Sequence, residues 1–199
     1  SWAEYVIEGQ SCHAGTTPMV MRHDAGLVAA QIAVEARTIA NDFGPPQVAN
    51  VGMFDVSPGL VNVVPEHAVL TVDLRNICDE TLKKAEERLN RAAEDFALVQ
   101  GCKVHRRSLA RFAPVEFDLG LVGEIESHAK SLGYSVRLMP SGAGHDAQMF
   151  APNCPTAMIF VPSKDGLSHN INEFTAPEHI APGVDVLLRV VLGQAKLAS

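Results

Sequence analysis

Residues 68–101, AVLTVDLRNICDETLKKAEERLNRAAEDFALVQG, contain a change of period. From Ala68 to Arg75 apolar and polar residues alternate. Leu70, Val72 and Leu74 fall on one side and Thr71, Asp73 and Arg75 on the other, which is the pattern of a strand with one buried face. Beyond Asp79 the apolar residues recur as Leu82, Ala85, Leu89, Ala92, Phe96 and Val99, the spacing of an amphipathic helix. Asp79 is placed to cap that helix and Gly101 to end it. The stretch predicts a strand followed by a helix that covers the strand's apolar face.

Working outward, residues 5–9 alternate as a strand would. Asp24 offers an N-cap to a helix over 25–41, with Val28, Ile32, Ala36 and Ile39 at helical spacing. Gly44-Pro45-Pro46 stops it. Residues 47–56 read as a strand that Pro58-Gly59 breaks, and residues 103–111 alternate again. The order is β-α-β-β-α-β, the ferredoxin-like pattern. It predicts a four-stranded antiparallel sheet with both helices on one face and Arg75 on the open one.

Past Pro114 the pattern changes. Asp118 caps a predicted helix to residue 132, striped by Leu121, Ile125 and Ala129 and closed by Gly133. Residues 135–139 read as a short strand. Residues 156–161, TAMIFV, are continuously apolar, as in a strand buried on both faces of a parallel sheet. Thr175-Ala-Pro-Glu178 is a capping box for a last helix to about residue 197. Two strands are too few for a parallel α/β sheet, so this half reads as incomplete by itself. The class expected is α+β, divided into residues 1–113 and 114–199.

The chain has 199 residues and a net charge of −7, with no basic stripe to meet phosphates, which argues against a nucleic-acid partner. No apolar run approaches the ~18 residues of a membrane span. Ser1-Trp2-Ala3-Glu4 carries no signal-peptide pattern. Cys12, Cys78, Cys102 and Cys154 stand singly, so free thiols in a reducing, cytoplasmic setting are expected.

Five places hold residues suited to chemistry. His13 lies in GQSCHAGTTPM, residues 9–19, on a bare, Gly-flanked loop. Adjacent Cys12 points the other way on an extended chain, which disfavours a Cys–His nucleophile pair. On local sequence alone His13 is an exposed loop histidine, though one able to donate to an oxyanion. Asn62 lies in a connection too apolar for a plain loop. Arg75 ends its strand, as a carboxylate clamp or as a surface partner of Asp73 or Glu80. SGAGHDA, residues 141–147, sets Gly142, Ala143 and Gly144 in a turn whose amides suit an anion. Its Ser141, His145 and Asp146 are too close in sequence for a triad, and no GxSxG elbow is present. His169, in PSKDGLSHNINEFT, leaves the apolar segment at its carboxyl end, where α/β sheets place ligands.

The order GQSCHAGTTPM…RHDA, GLVNVVPEHAVLTVDLR, SGAGHDAQMFA, MIFVPSKDGLSHNINEFT resembles the hydantoinase/carbamoylase amidases of the M20 group over essentially the whole chain. These are N-carbamoyl-L-amino-acid hydrolases, allantoate amidohydrolases and β-ureidopropionases. The resemblance implies a ferredoxin-like lid that mediates homodimerisation, followed by the C-terminal part of a di-metal α/β catalytic domain. It implies that His13 reaches across the dimer to the oxyanion, that Asn62 and Arg75 bind substrate, with Arg75 on its carboxylate, and that Gly142-Ala143-Gly144 contacts substrate. It makes His169 the last ligand of a divalent metal (zinc, manganese, cobalt or nickel) whose bound water attacks the carbamoyl carbon. The family's other metal ligands and its general-base glutamate lie in a segment before the lid, and nothing here matches them. The chain is therefore expected to be a piece of a longer enzyme, inactive alone and without a tightly bound metal. An M20 aminoacylase or dipeptidase is the neighbouring alternative, and a non-catalytic dimerisation module the more distant one.

Overall fold

The structure, a computed structural model, describes residues 1–197. The chain divides into two compact units, Ser1–Pro114 and Val115–Ser199.

The first unit is built on a four-stranded antiparallel sheet of β1 (Trp2–Glu8), β3 (Val48–Ser57), β5 (His67–Arg75) and β6 (Lys103–Ala110), in the order β3-β5-β1-β6. Alternation fixes the faces. Ala68, Leu70, Val72 and Leu74 of β5 and Ala3, Tyr5 and Ile7 of β1 are buried on one side. They share a single core with Val28, Ile32, Ala36 and Ile39 of α1 (Ala25–Phe43) and Leu82, Ala85 and Leu89 of α2 (Asp79–Gln100). Thr71, Asp73 and Arg75 keep partial exposure on the opposite face.

Two details depart from the periodic reading. The α2 stripe continues through Ala93 and Ala97 rather than Ala92 and Val99, and Val99 is 78% exposed. A three-residue step turns the stripe by about −60° and a four-residue step by about +40°, so the four-residue steps after Leu89 offset the step from Leu82 to Ala85, whereas the path through Ala92 to Val99 drifts by about 100° from Leu82. Asp79 is the first helical residue, and Cys78 holds the N-cap position. The Asp79 carboxylate instead pairs with Lys83 at 2.7 Å and Arg111 at 2.7 Å. By contrast Asp24 caps α1 as expected, accepting from the Leu27 amide at 3.0 Å.

A short antiparallel pair, β2 (Cys12–His13) with β4 (Val63–Val64), stands apart from the main sheet. It is anchored at the His67 end of β5, where Gly9 donates to Glu66 and Ala25 donates to Pro65.

The second unit contains α3 (Leu119–Ser131), the four-residue α4 (Ala147–Phe150) and α5 (Pro177–Leu197). Asp118 caps α3 through the Leu121 amide at 2.7 Å. The strands expected over 135–139 and 156–161 do not form among the described residues. A strand is a ladder, and an apolar segment without a neighbour to receive its amides remains single. The core here is Ala129, Val186 and Val190, supported by Leu121, Ile125 and Ile159.

Candidate functional site

The β2–β4 pair brings two of the expected site residues together. His13 pairs with Val63, the neighbour of Asn62, and the Ala14 amide donates to the Asn62 carbonyl at 2.9 Å. The chain after His13 then turns sharply. The Gly15 and Thr16 amides both donate to His13 Nδ1, at 2.9 and 3.2 Å. An imidazole nitrogen that accepts two hydrogen bonds carries no proton, so neutral His13 holds its proton on Nε2. The exposed side of the ring is therefore a donor. Cys12 and the other three cysteines are free thiols.

Arg75 lies elsewhere. It ends β5, while the His13–Asn62 cluster is tied to the start of that strand at Glu66 and His67. At about 3.3 Å per residue, eight steps of strand separate the ends by roughly 25 Å. The Arg75 guanidinium is held by Asp73, with Nη2 to Oδ2 at 2.7 Å and Nε to both carboxylate oxygens at 3.0 and 3.1 Å. It lies 5.9 Å from the centre of the Trp2 ring, in cation–π range. The hydrogen bonds from Arg75 to Asp73 hold the guanidinium firmly protonated. The surface pairing with Asp73 is thus real, and it orients the fork at the strand's end.

In the second unit the 141–147 turn is exposed for most of its length. Ser141 Oγ donates to the Ala143 carbonyl at 3.0 Å and receives the Ala143 amide at 3.2 Å. His145 Nδ1 accepts from the Ala147 amide at 3.0 Å. Ser141 and His145 thus engage backbone. A Cβ on Gly142 or Gly144 would meet nothing within 4 Å, so both backbones are open to approach.

His169 is exposed and has φ 55°, a left-handed conformation that few non-glycine residues adopt and that concentrates at functional loops. Its own amide donates to Glu173 Oε2 at 2.9 Å, which holds the turn. The described residues do not by themselves fit a metal centre. Among the described residues no three His, Cys, Asp or Glu side chains group to hold an ion, and a catalytic site needs about three protein ligands.

Sequence reading missed Arg22. Its guanidinium sits inside the loop that follows His13 and bonds the Ala14 carbonyl at 2.6 Å and the Thr17 carbonyl at 3.0 and 3.1 Å. Backbone acceptors leave no trace in a sequence pattern, and only an arginine within ten residues of a loop histidine could have hinted at it.

Comparison with known proteins extends this picture. The family model for peptidase family M20/M25/M40 matches residues 3–193. An N-carbamoyl-L-amino-acid amidohydrolase of Rhizobium meliloti is 39% identical over 198 residues, which are 98% of this chain and 47% of that protein. The allantoate amidohydrolase of Escherichia coli (strain K12) is 34% identical over 181 residues, 91% of this chain and 44% of that protein. The crystal structure of an amidase of the hydantoinase/carbamoylase family from Burkholderia vietnamiensis superposes with a TM-score of 0.92 at 39% identity, covering 98% of this chain and 47% of that one. The chain spans about half the length of the curated relatives it matches.

Proposed function

This chain belongs to peptidase family M20/M25/M40, and from that premise we propose that it is part of an amidohydrolase that cleaves the ureido C–N bond of N-carbamoyl amino acids or allantoate-like substrates. The observation that carries the reading is the meeting of His13 and Asn62 on the β2–β4 pair, with the imidazole already committed to donating through Nε2. A donor fixed before substrate arrives is what stabilises a developing oxyanion. The names of the relatives supply the substrate class.

The first unit is then a ferredoxin-like lid, residues 1–113, and the remainder is the C-terminal portion of a catalytic α/β domain. His13 donates to the carbamoyl oxygen as the carbon becomes tetrahedral, Asn62 holds the substrate, and Arg75 takes its carboxylate in a bidentate pair. The roughly 25 Å along β5 exceeds the reach of a small ureido acid. One site therefore takes His13 and Asn62 from one protomer and Arg75 from another. The lid mediates this homodimer, and β3 is a ten-residue edge strand able to pair outward. The turn at Gly142, Ala143 and Gly144 contacts the substrate through its backbone. His169 is one ligand of a divalent metal (zinc, manganese, cobalt or nickel), and the remaining ligands lie in a segment outside this chain. Four free cysteines suit a cytoplasmic setting.

The test is a substrate panel on the longer protein that includes this chain: N-carbamoyl amino acids, allantoate, N-acyl amino acids and dipeptides. Ammonia release from the carbamoyl compounds is expected. Turnover confined to acyl or peptide bonds would transfer the protein to the aminoacylase and dipeptidase branch. Hydrolysis by the 199-residue chain alone would overturn its description as a part. Mixing His13→Ala with Arg75→Ala protomers should restore activity that neither variant has, and failure to restore it would remove the shared site.

A further inference from the structure

The loop between His13 and α1 is closed by one side chain. Residues 14–18 turn away from β2, Met19–Met21 form a single 3-10 turn, and Arg22 brings the chain back to the Asp24 cap. The Arg22 guanidinium reaches eight residues back to the Ala14 carbonyl at 2.6 Å and five back to Thr17. It takes part in none of the ion pairs among the described residues. A partly buried guanidinium that satisfies itself on backbone carbonyls acts as a fork with fixed geometry.

What the fork holds is specific. The Ala14 carbonyl and the Gly15 N–H are two ends of one planar peptide unit. Fixing the oxygen on Arg22 therefore fixes the direction of the N–H, and that N–H donates to His13 Nδ1. The Thr16 amide joins it, and Thr17, whose carbonyl Arg22 also holds, donates its own amide back to the His13 carbonyl at 3.1 Å. The ring lies close on this turn. A Cβ at position 15 would sit 3.2 Å from His13 Cε1, tight enough that the ring would have to shift by a few tenths of an ångström.

We propose that Arg22 is a positioning residue that, through the Ala14–Gly15 peptide plane, holds His13 as the Nε2–H tautomer and so presents a donor, never an acceptor, to whatever faces the ring. Its use in catalysis rests on the reading of His13 as an oxyanion donor. The tautomer itself belongs to the free chain and can be measured without substrate.

The experiment is long-range 1H–15N correlation of the imidazoles in the uniformly 15N-labelled 199-residue chain at neutral pH, with His13 assigned by its loss in His13→Gln. The expected result is one tautomer, with Nδ1 bare and Nε2 protonated. Averaged tautomers, or a proton on Nδ1, would overturn the inference. In Arg22→Gln, His13 is expected to populate both tautomers, and the Gly15 and Thr16 amides to exchange about tenfold faster, the loss of one typical hydrogen bond. Arg22→Lys, with its single point of donation, should fall between. It is also the deciding variant if Arg22→Gln does not fold. Asp24→Ala, which uncaps α1 without touching the peptide plane, should leave the tautomer alone. A single Nε2–H tautomer that survives both Arg22 substitutions would show that the fork has no positioning role. In the intact enzyme Arg22→Gln should lower kcat by about tenfold to a hundredfold with KM nearly unchanged, the pattern of a misplaced transition-state donor, with partial recovery in Arg22→Lys. If no ureido compound is turned over but the tautomer responds to Arg22, the proposed function fails and the positioning role stands.

Discussion

The two units of this chain bury very different amounts of apolar surface. In the first, eighteen buried residues from two strands and two helices form one core closed by its own elements. In the second, Ala129, Val186 and Val190 are buried, while Val184, Leu187, Leu188, Val191 and Leu192 of the same α5 each remain half exposed. Glu178, Asp185 and Arg189 leave α5 one narrow polar stripe, and a helix that is apolar over most of its circumference is suited to burial on more than one side. The first unit is thus self-sufficient, and the second presents a surface that water disfavours. The sharpest way to break this comparison is to cut at Pro114. Residues 1–114 alone should unfold cooperatively in urea, with the transition followed by Trp2 fluorescence. Residues 115–199 alone should bind a hydrophobic dye and show no sharp transition. A cooperative, dye-free second unit would mean that its exposed leucines and valines cost little.

Single truncations sharpen the same contrast. Leu89 is 1% exposed in the centre of the first core, and Leu89→Ala should cost about 3 kcal/mol in urea titrations, the usual loss for a buried leucine. Leu188, on α5, is 55% exposed, and Leu188→Ala should stay within about 0.5 kcal/mol. Equal effects at the two positions would place a cover over Leu188 in solution.

The same division explains how much could be read from sequence. In the first unit each element finds its partner within the chain, so period and partner agree: the alternation over residues 68–75 and the stripe of Leu82, Ala85 and Leu89 are both seen in the core. In the second unit residues 156–161 have the composition of a buried strand but no ladder. Composition reports what a segment is suited to, whereas a strand requires a neighbour. At the candidate site, His13, Asn62 and Arg75 could be singled out by residue type, but spacing did not reveal that β5 keeps Arg75 away from the other two. Arg22 was hidden because its partners are carbonyls, which every residue has.

Helix ends make a smaller comparison. Gly101 ends α2 at φ 62° and Gly133 follows α3 at φ 82°, so alanine at either pays for a left-handed backbone. At Gly133 a Cβ meets nothing within 4 Å, and Gly133→Ala should cost about 1 kcal/mol. At Gly101 a Cβ would overlap the His23 imidazole, whose Nδ1 lies 3.1 Å from the Gln100 carbonyl. Gly101→Ala should therefore cost about 2 kcal/mol, the extra part reflecting displacement of His23. Equal Tm losses would show that His23 moves freely.

The two tyrosines of the chain give the smallest effect and separate the units by pH. Tyr5 is buried in the first core with its hydroxyl on Asn90 Oδ1 at 2.6 Å, and burial raises its pKa to about 12. Tyr134, in the second unit, is raised mainly by its hydrogen bond to Asp185 and remains reachable by water. A phenol whose native pKa lies above its unfolded value of about 10 is held more tightly as the neutral form in the folded state. Its contribution is complete below about pH 10 and is lost as pH rises through the native value, so the first unit should lose about 1 kcal/mol by about pH 11. Phenolate absorbance should rise in two steps, Tyr134 first and Tyr5 only as the first core opens. Tyr5→Phe should remove the second step and flatten the pH dependence of unfolding, because phenylalanine has no proton to lose. If that dependence persisted in Tyr5→Phe, the alkaline sensitivity would belong to another group, and burial of Tyr5 would not be what distinguishes the closed unit from the open one at high pH.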